Sequence, residues 1–485
     1  MKKTKKILSV ALSLTAIAQI FPVVTAEENS NYNYYNDTLK FYDEWKDKYI
    51  YQDKYVTDEI QYYVNYNEDS YQNDNISVPV TVSEAHGYGM LITACMSDYD
   101  EKAHDIFDGM YRYFKAHPSD IGKNLMSWQQ CDNGSALIDG AEEGSMTGGS
   151  CDSASDGDID IAYALLIADN VWGSDGDIDY KAEATAVIND IMTYEVNKKD
   201  WFIQLGDWVY YCDETENYYN ATRASDFIIQ YFPVFAEVTG DERWNNVYNG
   251  TYKIINELTE NSETGLLPDF IIKNSNGKFE PSPANFLEDV TDGMYAYNSC
   301  RTPWRIGMDV LINDNKDAKV FADKINNFII NQTGGDPYNI MAGYKLNGTA
   351  YEDYNDLCFV APFLITAKCG DNKEWENNLW ECIRDYGDDV YYGDTIKMLC
   401  MISYCDKWIV PYKNDISNLQ GDANVDGLID VADVVAVASY VGDAENNKLK
   451  TQGILNADVH NTGNGITSDD ALMIQQYLAK IITKF

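Results

Sequence analysis

Three short segments hold side chains whose types and spacing could do acid–base chemistry. In SEAHGYGM a single carboxyl, Glu84, stands among small and aromatic residues. Such neighbours strip water from a carboxyl, raise its pKa and suit it to donate a proton. In ASDGDIDIAYALLIADNVW, residues 154–172, Asp156, Asp158 and Asp160 fall just before an apolar run. Acids at a helix start are favoured electrostatically, so simple capping explains them equally well. The third segment, DGMYAYNSCRTPWR, sets Tyr297, Asn298 and Arg301 close together, and upstream of it KFEPSPANFLEDV carries Glu288 and Asp289.

The first two segments, in this order, resemble the proton-donor segment and the signature of glycoside hydrolase family 8, and the resemblance covers roughly residues 40–405. It implies an (α/α)6 barrel and inversion of anomeric configuration. It implies Glu84 as general acid, and Asp156 as the carboxylate that hydrogen-bonds the sugar at the cleavage subsite and helps to distort it. An inverting pair must leave room for a water, a carboxyl separation of roughly 6.5–9.5 Å. In the family's third segment an Asp between a Tyr and a nearby Arg is the general base. Tyr297 and Arg301 match, but the base position is Asn298, whose amide cannot take the proton.

The Pro-Ser-Pro turn and Phe286-Leu287-Glu288 resemble the loop inserted in the lichenase and chitosanase branch of that family. The resemblance implies Glu288 as general base, with Asp289 and Asp292 the nearest rivals. Arg223, Ser225 and Asp226 in TRASDF resemble a further segment of the same branch. Trp128 in LMSWQQ is a candidate for stacking on a sugar or for the core. Arg301 either pairs with a catalytic carboxylate or braces a helix. The expected reaction is single displacement on β-1,4 or mixed β-1,3/1,4-glucan, with no metal or organic cofactor in the chemistry. A chitosanase is the alternative enzyme. The missing acid at 298 also motivates a different class, a non-catalytic glucan-binding or scaffold component.

The elements that must position these residues read as helical. Ile159, Ala162, Tyr163 and Leu166 recur at helical spacing, and the pattern runs to Trp172 with Ser155 as a plausible N-cap. Alternating strand patterns bounded by tight turns are few. An all-α domain over 27–410 is the expectation, followed by a linker at 411–418 and a second domain at 419–485.

That second domain is an internal duplication. In LQGDANVDGLIDVADVVAVASYV, Asp422, Asn424, Asp426, Asp430 and Asp433 stand at loop positions 1, 3, 5, 9 and 12, with Gly427 at 6. Oxygen ligands at alternating positions around a turn glycine suit Ca²⁺. The second loop, from Asp458 to Asp470, is one residue longer, with Thr462 near position 5 and Asn464 a further candidate ligand. Val434 onward is expected to be the first helix, and Ile474, Leu478 and Ile481 one face of the second. The two repeats resemble a dockerin, which implies structural Ca²⁺ and a cohesin module of a scaffold protein as partner.

Bulk properties narrow the class. The net charge of −42 over 485 residues argues against nucleic acid, which needs clustered Lys and Arg. Four lysines among the first six residues, an apolar stretch from Ile7 to Val24 and small residues at 24 and 26 read as a signal peptide over 1–26, hence a secreted protein. No later stretch nears the about 20 apolar residues of a membrane span. Ten cysteines without a repeated short spacing do not make a disulfide framework, and four histidines make a multi-histidine metal site unpromising.

Overall fold

The computed structural model describes residues 33–67, 77–140, 148, 151–387, 390–412, 419–425, 428–444, 447–449, 451–463 and 465–485. The expected signal peptide and most of the expected linker lie outside them. Helices predominate, in agreement with the all-α reading and consistent with the double helical ring of an (α/α)6 barrel. No helix among the described residues is long and apolar enough to cross a membrane.

Two helices form the centre of the site's frame. Ser83–Cys95 and Ser155–Trp172 are buried along nearly their whole lengths, their acidic residues included. They meet backbone to backbone. A Cβ at Gly157 would lie 2.5 Å from Ser83 Oγ and 2.6 Å from the Ser83 carbonyl carbon, and one at Gly87 would lie 2.8 Å from Asp160 Cβ. The paired glycines therefore set how near Glu84 comes to Asp156. Ser155 is not the cap: Ala154 is, with no side-chain bond, and Ser155 Oγ donates to the Gln204 carbonyl at 2.8 Å. The helix ends at Gly173, whose φ of +78° suits a glycine.

The expectation of few strands needs correction. Four small antiparallel sheets occur among the described residues, built from strands of two to five residues. Segments that short cannot show alternation. Two sheets matter here. Val78–Val82 pairs with Gln129–Asp132, with Val82 opposite Gln129, and leads directly into the Glu84 helix. Ala221–Arg223 pairs with Phe270–Lys273, with Arg223 opposite Phe270.

Near the C-terminus, helices Val431–Gly442, Thr451–Ala457 and Ser468–Leu478 gather on a small core of Ala423, Val437, Ala457, Val459, Ala471 and Ile474. The first helix begins three residues before Val434, and the middle helix lies between the two expected loop-and-helix units. Ile481 lies beyond its helix and is 72% exposed, so it is not part of the apolar face.

Candidate active site

Arg301 organises the site. It ends the short 3₁₀ turn Ser299–Arg301 ahead of helix Thr302–Asn313 and is almost wholly buried. Its NH1 donates to Glu84 Oε2, to Asp156 Oδ2 at 3.2 Å and to the Tyr88 hydroxyl at 3.0 Å. Its NH2 donates to Asn298 Oδ1 at 3.0 Å. One rigid fork thus spans three of the expected site residues, which a lysine's point charge could not do. Pairing with carboxylates, rather than bracing a helix, is its part.

The two carboxyls it joins are tuned in opposite directions. Burial raises the Glu84 carboxyl; the charges of Arg301 and Arg223 oppose this, Asp156 adds to it, and the outcome is above the usual range. Burial also acts on Asp156, but Arg223 and Arg301 outweigh it and hold that carboxyl below the usual range. Arg223 NH2 donates to Asp156 Oδ1 at 3.1 Å. One carboxyl that holds its proton more tightly than usual beside one that holds it less tightly is the division expected of an acid and an electrostatic partner.

Arg223 Nε also donates to Asp226 Oδ1 at 3.1 Å, as Ser225 Oγ does at 2.9 Å. Asp226 is buried and its other oxygen has no partner among the described residues. Burial, with Asp156 adding and Arg223 opposing, pushes its carboxyl up to about 7.

Glu288 reaches the same place from the loop that follows the Pro-Ser-Pro turn. Its Oε2 accepts from Asn298 Nδ2 at 2.8 Å, and its Oε1 lies 3.9 Å from Arg223 NH1. About half of its side chain is exposed. Of its rivals, Asp292 is buried and its oxygens accept backbone N–H groups of the loop itself, while Asp289 accepts from Val290 N.

Trp128 and Tyr297 flank this cluster. The Trp128 carbonyl accepts from Ser83 N at 2.9 Å, one residue before Glu84, and its side chain is 45% exposed. That exposure excludes the core reading. Tyr297 is exposed to a similar degree and its hydroxyl lies 3.0 Å from that of Tyr354.

The acid run resolves into three roles, and only Asp156 faces the site. Asp160 pairs with Arg305 in the core, both fully buried. Asp158 Oδ1 accepts from Met126 N at 2.7 Å, behind Trp128. Near it, Glu195 accepts from Ser153 Oγ and Asp207 accepts from Ser153 N at 2.9 Å. Burial holds Asp158 and Glu195 well above the usual range, helped by the charge of Asp207 at Asp158 and by the charges of Asp158 and Asp207 at Glu195. Simple helix capping is thereby set aside for Asp158 and Asp160, whereas Asp156 Oδ1 also accepts from Gly157 N at 3.0 Å in the first turn of its helix.

Sequence reasoning missed Asp269. Its buried carboxylate accepts from the backbone of Ala296, Asn298 and Ser299 at 3.0, 3.0 and 2.7 Å and so shapes the Asn298 turn. Lying in LLPDF, away from every motif, it gave no signal.

In the C-terminal loops, Asp426 and Asn464 lie outside the described residues. Among those described, no three acidic, His or Cys side chains converge as metal ligands. The donor chemistry nonetheless fits a hard cation. Asp422 and Asp433 are both buried, and burial with the Asp422 charge raises Asp433. Asp458 Oδ1 is buried without a partner among the described residues. Asp433 and Asp470 also tie down their loops, accepting from Ala423 N at 2.8 Å and Val459 N at 2.9 Å. Asp430 caps the following helix, as does Thr467 in the second unit.

Comparison with known proteins identifies the family. The model of the glycosyl hydrolases family 8 matches residues 38–405. A β-glucanase of Niallia circulans is 42% identical over 371 residues, covering 76% of this chain and 83% of the relative. An endoglucanase of Bacillus sp. (strain KSM-330) is 34% identical over 410 residues, covering 82% and 80%. The apo structure of a β-1,3-1,4-glucanase from Paenibacillus sp. X4 superposes with a TM-score of 0.69 at 39% identity, covering 78% of this chain and 94% of that one. The chain belongs to glycosyl hydrolases family 8 and is an inverting glycoside hydrolase.

Proposed function

We propose that this protein is an endo-acting β-glucanase that cuts β-1,4 or mixed β-1,3/1,4-glucan, with Glu84 as general acid and Glu288 as general base. The carrying observation is the 2.8 Å hydrogen bond from Asn298 Nδ2 to Glu288 Oε2. A carboxylate from the inserted loop stands against the amide that occupies the base position. Glu288 deprotonates a water, the water attacks the anomeric carbon, and Glu84 protonates the departing oxygen. Asp156 and the two arginines hold the sugar between them. The β-glucanase and β-1,3-1,4-glucanase relatives point to the same substrates.

Chitosan stays the alternative substrate: Arg223 is paired with Asp156 and Asp226, and Arg301 with Glu84 and Asp156, so the charge of the site does not decide against an amino sugar. Xylan ranks lower still, because the family xylanases use the Asp that Asn298 replaces. A purely binding role is disfavoured by Glu288 and by the raised Glu84 carboxyl.

The C-terminal region is proposed as a dockerin, with structural Ca²⁺ in its loops and a cohesin as partner. The loop–helix repeat, the small separate core and the buried loop carboxylates support this. Secretion through the 1–26 signal peptide would place the enzyme outside the cell, on a scaffold.

The test is reducing-sugar release from barley β-glucan, carboxymethyl cellulose, chitosan and xylan, with Glu84→Gln as blank. Release from a glucan only by the unmodified protein is the expected result. Release from chitosan alone would select the chitosanase, and silence on all four with retained glucan binding would select the binding protein.

A further inference from the structure

The loop that carries Glu288 is exposed along most of its length. Leu287 and Val290 are 42% and 54% exposed, and residues 283–285 and 288–289 are open to solvent as well. An exposed loop does not hold a catalytic carboxylate in one place by packing alone. Yet residue 292, at its end, is a buried aspartate whose side chain points back into the loop. Asp292 Oδ2 accepts from Leu287 N at 2.8 Å and from Glu288 N at 3.1 Å, and Oδ1 accepts from Asp289 N at 2.8 Å. Three successive backbone N–H groups, centred on Glu288, converge on one carboxylate.

The remaining anchors are two backbone bonds within the loop, from Asn285 N and Asp292 N to the Asp289 carbonyl at 2.8 and 3.2 Å, and contacts of its flanks. Phe286 packs against Phe270 and Tyr218. Gly293 lies so close to the Ser282 carbonyl that a Cβ there would collide with it, which closes the neck. Phe270 N donates to the Asp292 carbonyl at 2.8 Å, tying residue 292 to the strand that pairs with Arg223. The Asp292 carboxylate thus links the peptide of Glu288 to the framework that also bears Arg223.

From this we infer that Asp292 is the positioning residue for the general base: its carboxylate gathers the N–H groups of Leu287, Glu288 and Asp289 and so aims Glu288 at Asn298. The inference rests on Glu288 being the base. Bonds from N–H groups to an ionised acceptor are among the stronger ones. An isosteric asparagine in place of Asp292 has one carbonyl oxygen instead of two anionic ones, and its NH₂ opposes the N–H groups it must receive. The loop then holds its shape less firmly, and a misplacement of about 1 Å is enough to lower turnover severely.

The experiment is a double-mutant cycle on mixed-linkage glucan with Asp292→Asn, Glu288→Ala and the pair. In the unmodified background, Asp292→Asn should lower kcat at least tenfold while KM changes less than threefold and the circular dichroism spectrum is retained. In the Glu288→Ala background it should change the residual rate less than twofold, since no base remains to be aimed. A kcat within twofold of the unmodified enzyme would overturn the inference, as would an equal loss in both backgrounds, which marks a general structural role. Wild-type turnover in Glu288→Ala would overturn the base assignment itself, and that result is separable from the other two.

Discussion

Asn298 Nδ2 donates to Glu288 Oε2 at 2.8 Å while Asn298 Oδ1 accepts from Arg301 NH2 at 3.0 Å. The amide uses both ends of its side chain, one toward the proposed base and one toward the arginine that holds the proposed acid. An aspartate at 298 could not donate to Glu288 without carrying a proton of its own. Asn298→Asp should therefore place two carboxyls in contact, which must share a proton. The acidic limb of kcat/KM against pH should move to higher pH. An unchanged limb would mean that Glu288 is not the group it reports.

Glu84→Gln should lower kcat on polysaccharide by about 10²–10⁴-fold, the usual contribution of a positioned acid. The loss should shrink markedly on an aryl β-glucoside oligomer with a dinitrophenyl leaving group, which departs without protonation. Equal losses on both substrates would assign Glu84 another role.

Gly157→Ala tests the helix contact. The added methyl would meet Ser83 backbone at 2.6 Å, and backbone cannot rotate away. A destabilisation of about 1–3 kcal/mol is expected for such overpacking. Because Glu84 follows Ser83 directly, kcat should fall as well. Thermal melting and turnover measured on the same preparation check both.

Glu195→Gln tests the buried carboxyls behind Trp128. Burial holds Asp158 and Glu195 above the usual range, so the folded state binds protons more tightly than the unfolded chain. Their contribution to stability is full below the ordinary carboxyl pKa of about 4 and is lost as pH rises from there toward the raised values. Glutamine keeps an acceptor for Ser153 and has no proton to lose. The fall in Tm between pH 5 and pH 8 should be smaller in the variant, by about 2 °C or more. Parallel Tm curves would show that the pair does not titrate in that interval.

Calcium is tested separately from catalysis. EGTA should lower the melting transition of the region 419–485, and titration calorimetry should register Ca²⁺ binding. Glucan turnover should not change. A melting profile indifferent to EGTA would remove calcium from the account of these loops.

The legible parts of this chain are those that local sequence specifies. Glu84 and Asp156 announce themselves within short motifs, and Asn298 is recognisable as unfit to be a base. What it does instead depends on Glu288, ten residues away across a loop turn. Asp160 meets Arg305 across 145 residues, so nothing near it in the chain shows that it belongs to the core. Asp292 reads as one more acid in an acidic loop, because its burial comes from the closed neck at Gly293 and Ser282. The strands escape notice because they are too short to alternate. Ser155 reads as a cap because a hydroxyl at a helix start has that use more often than it donates to a distant carbonyl.

The bridge from Glu288 through Asn298 and Arg301 to Glu84 has a consequence for the catalytic cycle. With Glu288 as base and Glu84 as acid, each turnover leaves the first protonated and the second ionised. A connected hydrogen-bond chain between them looks like a wire for returning the proton, but its two middle members are an amide and a guanidinium, and the guanidinium does not give its proton up. The bridge insulates. Glu288, half open to water, discharges to solvent, and Glu84 recharges on its own side of the arginine. On that assignment the enzyme would reset through two independent exchanges with the medium, and buffer catalysis of one should leave the other untouched.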